Sequence, residues 1–404
     1  MDLYMNDLPR KILFVISKTS FLEGVGGHWR SLRCIASELH ELGHDVTVCT
    51  LTNGSESPVL QDCQFNTKVF PCSLLYLPKH TKLLKEFVNN IQPDIIHIFD
   101  QRSLVRAVAF PFLKNQPTVF TKPGGPVLKY KVTTPSDVTL FSQEDVSWFK
   151  ERITNRTRYH LIPNRATPIV PDYAKVTKIK SELENAFVFL RICRIGEEYK
   201  AGIVKSIQLI KGLKHRNIIT SLVIVGSIEC QSTYQKLVSE YSDDVKFYTT
   251  KEFYEEGSQI LPIANAVIAV GRGVQEAMSL GIPVLCPGSN NKFPTLITND
   301  ELFNQAMKFN FSQRTVFPEN YDEDNLKSLI SIIQNEDKYQ ELSKLSLFWF
   351  DEYFNVKGAV SKLQHVYNQC TPFHFSNLDT MAAILREIRI TIIHSLIKLK
   401  RKYF

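Results

Sequence analysis

Nowhere in this chain do two cysteines stand two residues apart, and no histidine cluster accompanies the eight cysteines present. Zinc and dithiol redox centres of the CxxC kind are thereby excluded. The thiols at Cys34, Cys49, Cys63, Cys72, Cys193, Cys230, Cys286 and Cys370 read as scattered small core residues of a protein in a reducing cytoplasm. No run is apolar over the ~20 residues that a membrane span needs. Met1 to Asp7 is polar and the apolar run Ile12 to Ile16 has only the length of a strand, so no secretory signal is expected. Asn155-Arg156-Thr157 is then a glycosylation sequon by letter only. Tandem repeats of roughly 20–50 residues are also missing. Charge of one sign is scarce in the body: of a net +7, a net +5 sits in residues 381–404, where six basic residues face Glu387 alone. A near-neutral body excludes a general nucleic-acid role.

What is present is an ordinary globular composition, 44% apolar and 22% charged over 404 residues, enough for about two to three domains. Apolar runs alternate with helical patterns. In the first half, strands are predicted at 13–17, 45–51, 94–99, 118–122 and 138–142. A Gly-containing loop, Leu22 to Gly27, precedes a helix with Leu32, Ile35, Ala36 and Leu39 on one face, ending at Gly43. Further helices are predicted near 81–92, 102–114 and 143–153. After a linker at Ile162-Pro163-Asn164 and Pro168/Pro171, strands are predicted at 186–192, 221–226 and 245–249, with helices at 201–213 and 231–241. Beyond Asp324 the chain reads as helical, at 324–335, 337–347 and 350–369. Such alternation implies α/β architecture, parallel sheets covered by helices on both faces.

Residues 266–286, VIAVGRGVQEAMSLGIPVLCP, carry the most chemistry. A strand runs into Gly271-Arg272-Gly273, a helix follows with Glu276, and Gly281-Ile282-Pro283 leads to a second strand. A Gly-rich turn before a helix leaves amides for an anion. Arg272 adds a planar cation for phosphate oxygens, and Glu276 is an acceptor for vicinal sugar hydroxyls. The plainer alternative is a strand–helix–strand crossover with a glycine turn.

Together these features resemble the GT-B-fold glycosyltransferases, most closely the retaining group called family 4, over most of residues 10–368. The N-terminal pattern is met by Gly26-Gly27, Ile35-Ala36, Leu39, Gly43-His44, Val46 and Val48, by QPDIIHIF (92–99) and by IPNR (162–165). The C-terminal pattern is met by RIGEEYKAGI (194–203), LVIVG (222–226) and, most specifically, EAMSLGIPVL (276–285). Two departures stand out. Ile268 occupies the position of a family Glu eight residues before Glu276, and the Arg194-to-Lys200 spacing is one residue longer than the family's.

The resemblance implies two Rossmann-like doubly wound domains facing a cleft, with C-terminal helices crossing back to the first. The expected divisions are 1–165 (acceptor), 166–348 (donor), 349–375 (closing helices) and a basic amphipathic tail, 376–404. It implies transfer of a sugar from a nucleotide diphosphate sugar to a hydroxyl of a lipid-linked or cell-surface glycan, with retention and with neither cofactor nor metal. Arg194, Lys200 and Glu276 are the expected catalytic set, the two cations neutralising the leaving diphosphate. Gly26, Gly27, Gly271, Arg272, Gly273 and Glu276 are expected to hold the donor, with His28, Asp100, Lys122, Gly124 and Gly125 on the acceptor side.

Each candidate has a structural alternative: a solvated Arg194–Glu197 or Arg194–Glu198 pair, a helix-dipole role for Glu276, positive φ at Gly26 and Gly27. Asp322-Glu323-Asp324 reads as a helix N-cap rather than a metal site. Ile384, Leu385, Ile388, Ile392, Leu396 and Leu399 form a helical stripe beside a basic cluster, so 381–404 is expected to meet an anionic membrane surface or to pack on protein. That places the protein in the cytoplasm, peripheral to the inner membrane. Two other functions share these features, a sugar-nucleotide epimerase of the same fold and a non-catalytic partner subunit.

Overall fold

The computed structural model describes residues 8–18, 26–128, 131–153, 157–183, 186–242 and 244–403, with side chains as far as residue 393. Residues 22–25 of the glycine loop and Asn155-Arg156 of the sequon lie outside the described residues. The chain forms two compact units, one made of residues 1–162 and 356–404, the other of 163–355.

The first unit runs β1 (Lys11–Ser17), α1 (Gly27–Glu41), β2 (Asp45–Leu51), β3 (Asn66–Phe70), α2 (Leu77–Ile91), β4 (Ile95–Phe99), α3 (Gln101–Ala109), β5 (Thr118–Lys122), β6 (Asp137–Leu140), α4 (Gln143–Arg152) and β7 (Arg158–Leu161). Its seven strands are all parallel, in the order β3-β2-β1-β4-β5-β6-β7. Alternate residues of β1 point to opposite faces. Ile12, Phe14 and Ile16 pack against Leu32, Ile35 and Leu39 of α1, while Leu13 and Val15 pack against Leu104 and Val108 of α3.

The second unit runs α5 (Tyr173–Lys180), β8 (Phe187–Ile192), α6 (Glu197–Lys214), β9 (Thr220–Val225), α7 (Gln231–Tyr241), β10 (Val245–Tyr248), α8 (Lys251–Tyr254), β11 (Ala266–Ile268), α9 (Arg272–Met278), β12 (Val284–Cys286), β13 (Thr295–Leu296), α10 (Asp300–Lys308), α11 (Asp322–Gln334) and α12 (Glu336–Trp349). Its sheet order is β10-β9-β8-β11-β12-β13. Val188 and Leu190 face Val274, Ala277 and Met278 of α9, and Phe189 faces Ile203, Ile207 and Ile210 of α6. Among the described strands only β13 is antiparallel, a departure from an all-parallel expectation. The chain then returns to the first unit as α13 (Val356–Gln369) and α14 (Asn377–Tyr403).

Several boundaries shift for local reasons. The helix expected to reach 114 stops at Ala109, because Phe110 precedes Pro111 and is pushed out of the helical region. The strand expected to reach 142 ends at Leu140, because Ser142 caps α4 by accepting from the Asp145 amide at 3.2 Å. The helix expected from 201 starts at Glu197, which moves Lys200 from a loop into its first turn. The run at 350–369 is broken by a π-turn at Phe350–Phe354 and by Asn355. Asp322-Glu323-Asp324 does not cap α11: it fills the first turn behind Tyr321. Asp322 there accepts from the Lys292 and Phe293 amides at 3.2 and 3.3 Å, while Glu323 pairs with Arg216 and Asp324 with Lys327.

Candidate functional site

In each sheet the chain order reverses once, between β1 and β4 in the first and between β8 and β11 in the second. At such a switch point the following loops diverge to opposite faces, leaving a crevice at the strands' carboxyl ends where ligands of open α/β sheets bind. The loops concerned and the starts of the helices that follow them hold most of the candidates: Gly26, Gly27, His28 and Asp100 in one unit, Arg194, Lys200, Gly271, Arg272, Gly273 and Glu276 in the other.

In the second unit, Arg194 leaves β8 and lies 4.6 Å above the Tyr199 ring. Its guanidinium donates to Glu229 Oε1 at 2.8 Å, so the acidic partner is neither Glu197 nor Glu198 but a residue from the loop after β9. Both side chains are about half exposed, and such a pair contributes no more than about 1 kcal/mol. An incoming anion can therefore displace Glu229 at little cost. Lys200 stands in the first turn of α6, half-buried, with no ion pair among the described residues. Glu276 is largely buried and accepts from Arg272 Nε at 2.7 Å. The i,i+4 spacing on α9 brings them together. Arg272 also donates to the Arg165 carbonyl at 2.9 Å. Sequence reasoning aimed Arg272 at phosphate; in the structure its guanidinium holds the Glu276 carboxylate and ties α9 to the segment entering the unit.

Gly271 adopts φ 53° and ψ −122°, which only glycine takes readily. Its amide donates to the Phe311 carbonyl at 3.0 Å, so it is not available to an anion as expected. Gly273 follows as the second residue of α9. Ile268, where the family pattern has a Glu, is fully buried in β11. Sequence reasoning did not name Glu229, Tyr199, Arg165 or Lys205. Lys205 donates to the carbonyls of Gly288 and Asn291 and shapes the loop after β12. The signal for Glu229 was its place one loop along the same sheet edge.

In the first unit, Gly26 caps α1 at φ −65°, so its glycine answers not to a positive φ but to space: a Cβ there would lie 3.3 Å from the His28 ring. Among the described residues no side chain caps α1, and no acidic residue occupies its first turn, which leaves the helix N-terminus suited to an anion. Asp100 ends β4 at φ 92° and ψ 156°, a region nearly confined to glycine. Its carboxylate accepts from the Ser103 amide at 2.8 Å and the Ser17 amide at 3.3 Å, capping α3. Burial raises the Asp100 pKa above the usual carboxylate range, opposed by the nearby His28. Burial likewise lowers that of His28, opposed by Asp100. A neutral imidazole beside a held carboxyl can accept a proton or a hydrogen bond.

Lys122 is buried, not presented to a ligand: its ammonium bonds Asp145 at 2.8 Å and the carbonyls of Pro123 and Gly125 at 3.3 and 3.4 Å. It thus clips the loop of Gly124 and Gly125, the latter at φ 106°, to the start of α4. Among the described residues no group of three His, Cys, Asp or Glu is placed to hold a metal.

Two family models match the chain: Glycosyltransferase Family 4 over residues 25–164 and Glycosyl transferases group 1 over residues 175–346. None of the curated protein sequences matches it. Among solved structures, Anabaena HepE in complex with UDP is similar at 16% identity and a TM-score of 0.66, covering 89% of this chain and 99% of its own. A glycosyltransferase from Rickettsia africae gives 14%, 0.63, 89% and 98%. The lipopolysaccharide outer core galactosyltransferase WaaB gives 14%, 0.57, 89% and 99%. Two doubly wound sheets with these matches along both halves make the chain a member of the group 1 glycosyltransferases, enzymes of the GT-B fold.

Proposed function

We propose that this enzyme moves a sugar from a nucleoside diphosphate sugar to a hydroxyl of a lipid-linked or cell-surface glycan, with retention at the anomeric carbon. The observation that carries the donor side is the cluster at the second switch point: Lys200 with no ion pair among the described residues, Arg194 in a weak exposed pair, and Glu276 fixed by Arg272. A diphosphate exchanging with Glu229 for Arg194 gains a bidentate contact. Lys200, in the first turn of α6, adds charge where the leaving diphosphate develops it. Glu276, bonded by Arg272, accepts from the nucleotide's ribose hydroxyls, and Arg272 acts as its positioning residue. HepE has been solved with UDP and with UDP and glucose, which supports a uridine nucleotide as the first to try. The acceptor reading leans on WaaB and on the basic segment 381–404. A glycan carried by a lipid puts the enzyme at the cytoplasmic face of the inner membrane.

The test is calorimetry with UDP, GDP and ADP on the wild type, Lys200→Ala and Glu276→Ala. We expect one nucleotide to bind and each substitution to weaken it by about tenfold or more, the loss of one charged hydrogen bond. Affinity unchanged in both variants removes the donor site. Incubation with the sugar nucleotide alone distinguishes transfer from epimerisation, which would invert the sugar without acceptor.

A further inference from the structure

Over its described side chains the helix α14 has two apolar faces, and the described residues cover only one. On the inner face Ala383 and Glu387 are buried against α3, and Ile384 packs on the same core. The Glu387 carboxylate accepts from Arg106 at 2.9 Å and from Arg102 at 3.1 Å, and Arg106 donates onward to the Leu51 carbonyl at 2.7 Å. Arg386 donates to the Lys131 carbonyl at 2.6 Å, and Asp379 accepts from Thr133 at 2.6 Å. The rotation of α14 about its axis is thereby fixed. On the opposite face Leu378, Met381, Leu385, Ile388 and Ile392 follow one another at spacings of three and four, and each is 40% to 81% exposed. The sequence continues the spacing at Leu396 and Leu399. The stripe expected from sequence is thus divided: Ile384 turns inward, and Leu378 and Met381 join the outer row.

A row of large apolar side chains in register is a surface awaiting a partner. Charge decides which. Beyond Glu387 the chain has no acidic residue, and Arg389, Lys398, Lys400, Arg401 and Lys402 follow it. Glu387 is itself consumed by two arginines. Two copies paired in parallel along α14 would set these basic clusters against each other. Paired antiparallel, they would offer the cluster only Asp379, already bonded to Thr133 and Ser376. An anionic lipid surface complements both the apolar row and the basic end. The described helices include none long and apolar enough to cross a membrane, so the helix lies along it.

We propose that the outer face of α14 is the membrane-docking surface of this enzyme, seating Leu378, Met381, Leu385, Ile388 and Ile392 among the headgroups of an anionic bilayer. The purpose of this surface rests on the reading of a lipid-borne acceptor. Through Glu387 it is clipped to α3, the helix that Asp100 caps, so docking also fixes the acceptor-side edge of the first sheet relative to the lipid.

The test is flotation of the full-length protein with vesicles of phosphatidylcholine alone and of phosphatidylcholine mixed with phosphatidylglycerol. The wild type is expected to float with the mixed vesicles and to be released by salt. Replacing Leu385, Ile388 and Ile392 together by Gln should abolish flotation. Replacing Lys398, Lys400, Arg401 and Lys402 by Gln should lower partitioning by about fivefold per charge. UDP calorimetry on the same variants should be unchanged, so a failed donor site and a failed docking face give different results. Equal flotation of wild type and both variants overturns the proposal. So does a wild-type dimer in light scattering that the Leu385, Ile388, Ile392 variant converts to monomer, since a second copy would then be what covers the row.

Discussion

Gly226 closes β9 where β8 and β9 come so near that a Cβ at this position would lie 1.7 Å from the Cys193 carbonyl oxygen. Both neighbours are fixed by backbone bonds, Cys193 to Val225 and Gly226 to Tyr248, so neither strand can retreat. Gly226→Ala should therefore cost about 3 kcal/mol or more, roughly 6–12 °C in the melting temperature of a unit this size. A scan showing an unshifted transition would refute the crowding argument. This glycine was legible as the end of LVIVG, but its reason was not, because the approach of two strands is a property of the sheet. The same holds at Glu276 and Arg272. Their residue types announced a nucleotide site, yet their bond to each other came from helical phase, which places i and i+4 on one side. Lys122 is the converse case: a lysine in a Pro–Gly loop read as ligand-facing, and only the fold shows Asp145 beneath it.

Among the elements, the edge strand β7 depends on a buried charge. Asp137 of β6 is wholly buried and accepts from Arg158 at 2.8 and 2.6 Å and from His160 at 3.0 Å, both on β7. Arg158 reaches on to the Gln369 carbonyl at the end of α13. Burial pushes the Asp137 pKa up, but the bonds from His160 and Arg158 outweigh it, and the carboxyl ionises below its ordinary 3.8. Its folded pKa is depressed, so its contribution is fully present above the ordinary value and is lost as pH falls through the depressed one. Asp137→Asn should cost about 1–3 kcal/mol at neutral pH. The gap between variant and wild type should narrow as the pH falls below the ordinary carboxyl value of 3.8. Melting temperatures of the two proteins across acid pH test this, and a gap that is constant or widens toward acid would count against it. β7 itself escaped the sequence because RYHL is only four residues long, and an alternation of Tyr159 and Leu161 with Arg158 and His160 is too short to stand out. The central strands β1, β4, β8 and β9 were plain because they are buried on both faces and so nearly all apolar.

For the whole molecule, the informative fact is that one unit is interrupted by the other. Among the described residues, the core clusters of residues 163–355 draw on none outside that span. The first unit is different: Val356, Val360, Leu363 and Val366 complete the face of its sheet that α1 covers, and Phe373, Phe375 and Ala383 complete the other. Tyr367 of α13 also bonds the fully buried His97 at 2.7 Å, and His97 bonds Thr121 at 2.6 Å. Without α13 that imidazole loses a partner inside the core, where an unpaired polar atom costs about 1–3 kcal/mol. The chain leaves the first unit after Ile162 and re-enters it at Val356. Next to these points Ala166 and Asn355 are joined by a parallel bridge, and the Ala166 amide bonds the Phe354 carbonyl at 3.0 Å. Residues 163–355 therefore form an insertion with its two ends together, the arrangement that tolerates excision. Expressed alone, 163–355 should fold with a single cooperative transition and bind UDP as the full chain does, since Arg194, Lys200, Arg272 and Glu276 are all within it. Residues 1–162 alone should not fold, whereas 1–162 joined by a short Gly-rich linker to 356–404 should. A folded 163–355 that fails to bind a nucleotide bound by the whole enzyme would move the donor contacts into the first unit, to the uncapped start of α1 at Gly26 and Gly27.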